Sequence, residues 1–241
     1  MQVTVNQLLA FKKRLRYICY LIFKTPKIMG TIKKGILGGF SGTVGTVVGA
    51  NWRGMDVIRS RPKSSGSNPT PLQLLQREKF ALAIKFQNSL RSMQSRLYGE
   101  NAGVKSRVNL AAAYLLREVV AEENGQVSLM MEKVIVTKGT LTGFQNLTVT
   151  AAPGQTLNFT WDDNSNQMLA QPTDIFCTAV YEEESGEFAI KEGPEERSTG
   201  ASSIVLAETW SGKNVHVYAF FQNAQQDSAC NSVYLGTVVV Q

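Results

Sequence analysis

The side chains able to do chemistry are few in this chain, and they lie far apart. Its 241 residues include one histidine and three cysteines. His216 lies in a run where Val215, Val217, Ala219 and Phe221 alternate with His216, Tyr218 and Phe220. That period-two pattern predicts a strand covered on both faces, with His216 as a packing or surface residue and no visible nucleophile or acid to complete a triad. Cys19, Cys177 and Cys230 are too few for a four-cysteine zinc site or a disulfide scaffold. Cys177 and Cys230 read as buried thiols in or beside strands, with a bond between them as the alternative. Asp162-Asp163-Asn164-Ser165-Asn166 opens like a calcium loop. Gln167 and Thr173 then stand where an EF-hand needs glycine and glutamate, so a polar turn is expected. Glu182–Glu184 and Glu195-Glu196 read as solvated acidic loops, and the sequons at Asn146 and Asn158 as chance matches. No metal, cofactor or catalytic residue is expected.

The stretch Gly35–Ser60, GILGGFSGTVGTVVGANWRGMDVIRS, also invites a chemical reading. A phosphate-cradling loop needs Lys-Ser/Thr after its last glycine, and Gly49 is followed by Ala50-Asn51-Trp52. The segment Gly99–Ser106 mimics such a loop with the wrong spacing, after a helix instead of a strand. Glycine weakens a helix by about 1 kcal/mol relative to alanine, whereas the intervening Val, Thr, Ile and Trp favour strands. The pattern predicts a β-hairpin of Thr43–Trp52 and Met55–Arg61 turning at Arg53-Gly54, with glycines 35, 38, 39 and 42 in an irregular or edge-paired arm. Small-xxx-small spacings also fit a membrane helix dimer. The uncharged run from Gly35 to Trp52 is short and rich in glycine and threonine, so no transmembrane segment is expected. Phe40, Val44, Val47, Val48, Trp52, Arg53 and Arg59 are the candidate interaction residues.

KKGILGGFSGTVGTVVGANWRGMDVIRS, followed by NPTPLQLLQREKFALAIKF, resembles the opening of a family of bacterial proteins known only as a domain of unknown function. The resemblance covers most of Met29–Gln241 and is strongest over Ile32–Phe86. It implies a glycine-rich hairpin, then helices, then a C-terminal β-domain. It implies no activity and no catalytic residues.

The elements after the hairpin are legible from local signals. Thr70-Pro71-Leu72-Gln73 is a capping box with proline in the first turn. Leu72, Leu75, Leu82, Ala83, Phe86, Leu90, Met93 and Leu97 recur at helical spacing to about Tyr98, and Phe80, Phe86 and Tyr98 read as packing residues. A second helix is predicted from about Ser106 to Ala121, antiparallel to the first. From Gly125 onward the predicted strands are Val127–Val136, Leu147–Ala151, Thr156–Trp161, Ile175–Tyr181, Glu187–Ile190, Ser203–Glu208, Val215–Asn223 and Val233–Val240. Turn signals separate them, among them Gly193-Pro194. The expected fold is α+β: a Gly-rich β-hairpin and an antiparallel helical hairpin, followed by an immunoglobulin/fibronectin-like antiparallel β-sandwich with Trp161 in its core. The expected domains are residues 29–122 and 123–241, preceded by 1–28.

Residues 1–28 carry six basic and no acidic residues, residues 29–120 carry 14 and 4, and residues 121–241 carry 5 and 15. This dipole predicts attraction within one chain or head-to-tail between chains. Residues 1–28 read as upstream sequence before a start at Met29, or as a cationic segment for membrane-surface contact. They lack the long apolar core and cleavage site of a signal peptide, so a cytoplasmic protein is expected. The basic face of the first helix (Arg77, Lys79, Lys85, Arg91, Arg96) offers a nucleic-acid reading. The preferred expectation is a non-enzymatic structural or interaction protein with a protein partner or a homo-oligomeric state. A nucleic-acid or anionic-surface binder comes second, and a glycan-active β-sandwich enzyme third.

Overall fold

The computed structural model describes residues 30–32, 38–52, 54–62, 68–103 and 105–241. The expectations for residues 1–28 and for Gly35 and Arg53 lie outside the described residues. The chain divides into two compact units at Asn68/Pro69.

The first unit is a four-stranded antiparallel sheet in sequence order: β1 (Thr31–Ile32), β2 (Phe40–Val44), β3 (Val47–Trp52) and β4 (Met55–Ser60). The predicted strand Thr43–Trp52 is in fact two strands. Val44 pairs with Val47 across a two-residue turn, and Gly45 takes φ +56°, where a side chain would be strained. Gly42, expected in an irregular or edge-paired arm, is paired with Gly49 on an inner strand of the sheet. Trp52 pairs with Met55, joining β3 to β4 as a hairpin, and the Gly54 N–H donates to the Asn51 side-chain oxygen at 3.0 Å.

The second unit opens with helix α1 (Pro71–Leu97), capped as its sequence predicts. Thr70 accepts from the Gln73 N–H, and the Gln73 side chain accepts from the Thr70 N–H. Gly99, at φ +58°, ends the helix just beyond its cap residue Tyr98. Helix α2 (Arg107–Tyr114) starts at the N-cap Ser106 and runs into a π-helical turn, Leu115–Val119. The two helices are antiparallel, since Gln87 meets Val108 and Lys79 meets Glu122. The predicted extension to Ala121 is overturned: Val120 begins β5 (Val120–Glu123), which turns through Asn124-Gly125 into β6 (Gln126–Leu129). Both turn residues have positive φ, the requirement of a tight two-residue hairpin. The expected domain boundary at 122/123 therefore falls inside a hairpin.

The remaining strands are β7 (Gln145–Ala152), β8 (Thr156–Asp162), β9 (Ile175–Glu182), β10 (Glu187–Glu196), β11 (Ala201–Val205), β12 (Asn214–Gln222) and β13 (Val233–Val239). They form two antiparallel sheets, β11-β8-β7 and β10-β9-β12-β13. This is an immunoglobulin/fibronectin-like sandwich, in which the chain crosses repeatedly between sheets. Gly193-Pro194, predicted as a turn between strands, is a bulge inside β10, where the register with β9 shifts between Glu192 and Glu196.

The helices share the core of the sandwich. Phe86 of α1 meets Tyr181 and Phe188 edge-on at 5.0 and 5.1 Å, while on the opposite face of β9 Trp161 stacks on Phe176 at 4.6 Å. Strands β9 and β12 are thus covered on both sides, and Phe176, Cys177, Ala179, Val180 and Val215–Phe221, apart from His216, are buried. The second unit is three layers deep, helices on sheet on sheet. Burial along α1 starts at Ala83. Leu72, placed on the apolar face by periodicity, and Phe80, read as a packing aromatic, are exposed.

Candidate functional site

Strand register sorts the candidate interaction residues of the first unit onto two faces, because residues directly opposite in an antiparallel ladder point the same way. Val44 and Val47 share one face with Ile58, since Gly49 pairs with both Gly42 and Ile58. Phe40 joins them, and its ring lies over Gly49: a Cβ built there would come within 2.6 Å of the ring. Val48 and Arg59 are paired on the other face, with Trp52 opposite Met55 and Val57 opposite Ala50. Six large apolar residues of this sheet are exposed (Ile32, Val44, Trp52, Met55, Val57 and Ile58), by 42 to 67%. Gly49 is its only buried residue among those described. Ile32, Met55, Val57 and Ile58 are not among the candidate interaction residues read from sequence, although Val57 and Ile58 are adjacent strand formers in β4.

Among its described residues, such a sheet has apolar groups on both faces and no core of its own. Three or more strands need a buried hydrophobic face or a packed helix for independent stability. Its turns are well determined nonetheless. Asn51 donates to the Asp56 carboxylate at 3.0 Å, and the Arg61 N–H donates to the Thr46 carbonyl at 2.7 Å. Strand β4 forms one edge of the sheet and is exposed throughout.

In the second unit the chemistry-bearing residues are held in structural roles. His216 Nδ1 lies 2.9 Å from the Tyr234 hydroxyl and 3.3 Å from Thr237 Oγ1, and its Nε2 lies 3.7 Å from Glu183. Cys177 and Cys230 are unbonded, buried thiols. Burial pushes both thiols up, Cys230 to about 11. The Asp162–Asn166 loop scatters its oxygens: Asp162 accepts from Asn146, Asp163 from the Ser165 N–H, and Asn164 turns inward. In the segment read as a false phosphate loop, Ala102 and Lys105 close a tight turn with two backbone hydrogen bonds.

The densest charged constellation was missed in the sequence. Arg197 and Asp174 are 0% and 2% exposed and bonded at 2.9 Å. The Arg197 guanidinium donates twice to Asp174 Oδ2, once to Asn164 Oδ1, and to the carbonyls of Gly143 and Thr142. All five of its donors are satisfied, and its carbon lies 3.9 Å from the Phe221 ring centroid. This is a staple between loops and sheets, with no open position for a ligand.

The long-range charge pattern is partly neutralised within the chain. Lys79 pairs with Glu122 at 2.5 Å, and Arg96 with Glu192 at 2.8 Å. Both bridges join the basic half to the acidic half, and both use cations from the helix face considered for nucleic acid. Among the described residues no helix is long and apolar enough to cross a membrane.

The model of a family of unknown function (DUF6266) matches residues 39–236. Comparison with curated proteins gives no match. Among solved structures, the fn3 domain of human collagen alpha-1(XX) chain is similar at 13% identity and a TM-score of 0.31, over 42% of this chain and 85% of that one. The fn3 domain of human contactin 1 is similar at 4% identity and a TM-score of 0.31, over 44% of this chain and 83% of that one.

Proposed function

The chain belongs to this family of unknown function, and from its own geometry we propose that it is a non-enzymatic interaction protein that self-associates through its N-terminal sheet. The observation that carries this reading is the coreless sheet. Two faces bearing Ile32, Val44, Trp52, Met55, Val57 and Ile58 at the surface gain their burial from a partner. Charge favours a second copy as that partner. Residues 29–68 carry six basic and one acidic residue, whereas residues 69–241 carry 13 and 18. The two units of one copy therefore complement those of another head-to-tail, and Glu187 and Glu196 are exposed on the edge strand β10. The helix-backed sandwich is the rigid carrier. The engagement of His216, Cys177, Cys230 and Arg197 in packing supports a non-enzymatic role. Aspartate in place of Val44, Val47 or Val48 is expected to lower the sedimentation coefficient to that of a monomer; unchanged sedimentation of all three variants refutes the reading.

A further inference from the structure

Two adjoining clefts of about 350 and 380 Å³ open beside the C-terminal end of α1 in the second unit. They share Gly99, Glu100 and Lys138 as lining residues. Five cations line them, and these fall into two kinds. Arg96 and Arg117 are held by Glu192 and Glu118. Lys105, Arg107 and Lys138 have no carboxylate partner within ion-pair distance, although every acidic residue of the chain lies among the described residues. Glu100 pairs with none of the three, and Asp227 accepts from the neutral Asn223 amide at 2.7 Å and keeps its charge. Three unpaired cations therefore stand against two unpaired acids.

The backbone under these cations is fixed. Lys138 is clamped to the end of α1, donating its N–H to the Leu97 carbonyl at 3.1 Å and accepting from the Gly99 N–H at 2.6 Å. The Arg107 N–H donates to Asn101 Oδ1 at 3.1 Å, and Lys105 closes the turn with Ala102. Stems held this way lose less freedom when their heads converge on a ligand. The second cleft is also lined by Tyr98, Leu110 and Tyr114, which supply apolar and aromatic groups.

We propose that these clefts form a binding site for a small ligand carrying a phosphate or sulfate ester on a ring or apolar group. Two lysines and an arginine match a multiply charged oxyanion better than a single carboxylate: lysine acts as a point charge, and arginine donates in a fork. The apolar and aromatic groups take the body of the ligand. The volumes lie in the range of small-molecule sites.

The test is titration of the full chain with phenyl phosphate, phenyl sulfate and phenol at low salt, read by calorimetry and amide shifts. Saturable binding of phenyl phosphate that weakens with salt and is absent for phenol is expected, and the sulfate result shows whether a dianion is required. Lys138→Met and Arg107→Gln each weaken it about tenfold or more, the cost of one charge-assisted hydrogen bond. Arg91→Gln, on an exposed cation outside both clefts, leaves it unchanged. Lys105→Gln carries the comparison if either cleft variant does not fold. Binding of phenol equal to that of phenyl phosphate, no saturable binding of either ester, or an equal loss in Arg91→Gln overturns the site. So does equal binding of an oligonucleotide with and without a terminal phosphate, which would indicate a general basic surface.

Discussion

The ring of Phe40 covers Gly49 so closely that a Cβ on Gly49 would meet it at 2.6 Å, with the Phe40 carbonyl closer still. The missing side chain on β3 is what lets Phe40 lie flat on a sheet that has no other core. Gly49→Ala is therefore expected to lower hydrogen-exchange protection across β2–β4 while leaving β9 and β12 protected. Phe40→Ala in the same chain removes the ring contacts but keeps the closer Phe40 carbonyl, so it leaves protection lowered. Full protection in Gly49→Ala alone would show that the facing strand and the ring shift apart freely.

Arg197 gives a prediction about stability. Removing one partner of a buried pair leaves an uncompensated charge and costs about 3–5 kcal/mol. Arg197→Met is expected to lower unfolding free energy in urea by that amount, and adding Asp174→Asn to recover part of it. Arg59→Met, on an exposed strand, changes stability by less than about 0.5 kcal/mol.

Glu182 sets an acid limit. Burial would raise its carboxyl, but the Ser185 side chain, the Ser185 and Glu184 N–H groups and Lys213 outweigh burial and bring it down to about 2 from an ordinary 4.5. A carboxyl depressed in the folded state contributes stability above the unfolded value and loses it as protons bind. The stability gap between wild type and Glu182→Gln is expected to be full above pH 5 and to close as pH falls from about 4.5 toward about 2. A gap independent of pH in that window would contradict this account.

What was legible in the sequence was what local chemistry decides. The capping box at Thr70 and Gln73, the alternation through Val215–Phe221 and five of the predicted strands stand close to as read, whereas Val127–Val136 stops as a strand at Leu129 and gives way to a 3-10 turn at Met131–Lys133, Glu187–Ile190 runs on to Glu196, and Ser203–Glu208 shifts to Ala201–Val205. The missed features depend on distant partners or on choices between equal local preferences. Thr43–Trp52 has strand formers on both sides of Gly45, and only the φ taken by Gly45 reveals a turn there. Asn124-Gly125 is a hairpin signal that was passed over in favour of a boundary between domains. Periodicity placed Leu72 on the packed face of α1 but does not report that burial begins at Ala83. Arg197 reads as one more charge near a glutamate-rich loop, because its partners come from residues 142, 143, 164 and 174. The candidate interaction residues were found together in sequence, yet their division onto two faces needed the register.

Burial of the coreless sheet by a second copy, as proposed, is read in the solution mass of the full chain, measured by light scattering across concentration at low and high salt, beside Ile58→Asp. An oligomer at low salt that loosens as salt rises is expected, with a monomer for Ile58→Asp. A wild-type monomer at every concentration and at low salt would contradict it.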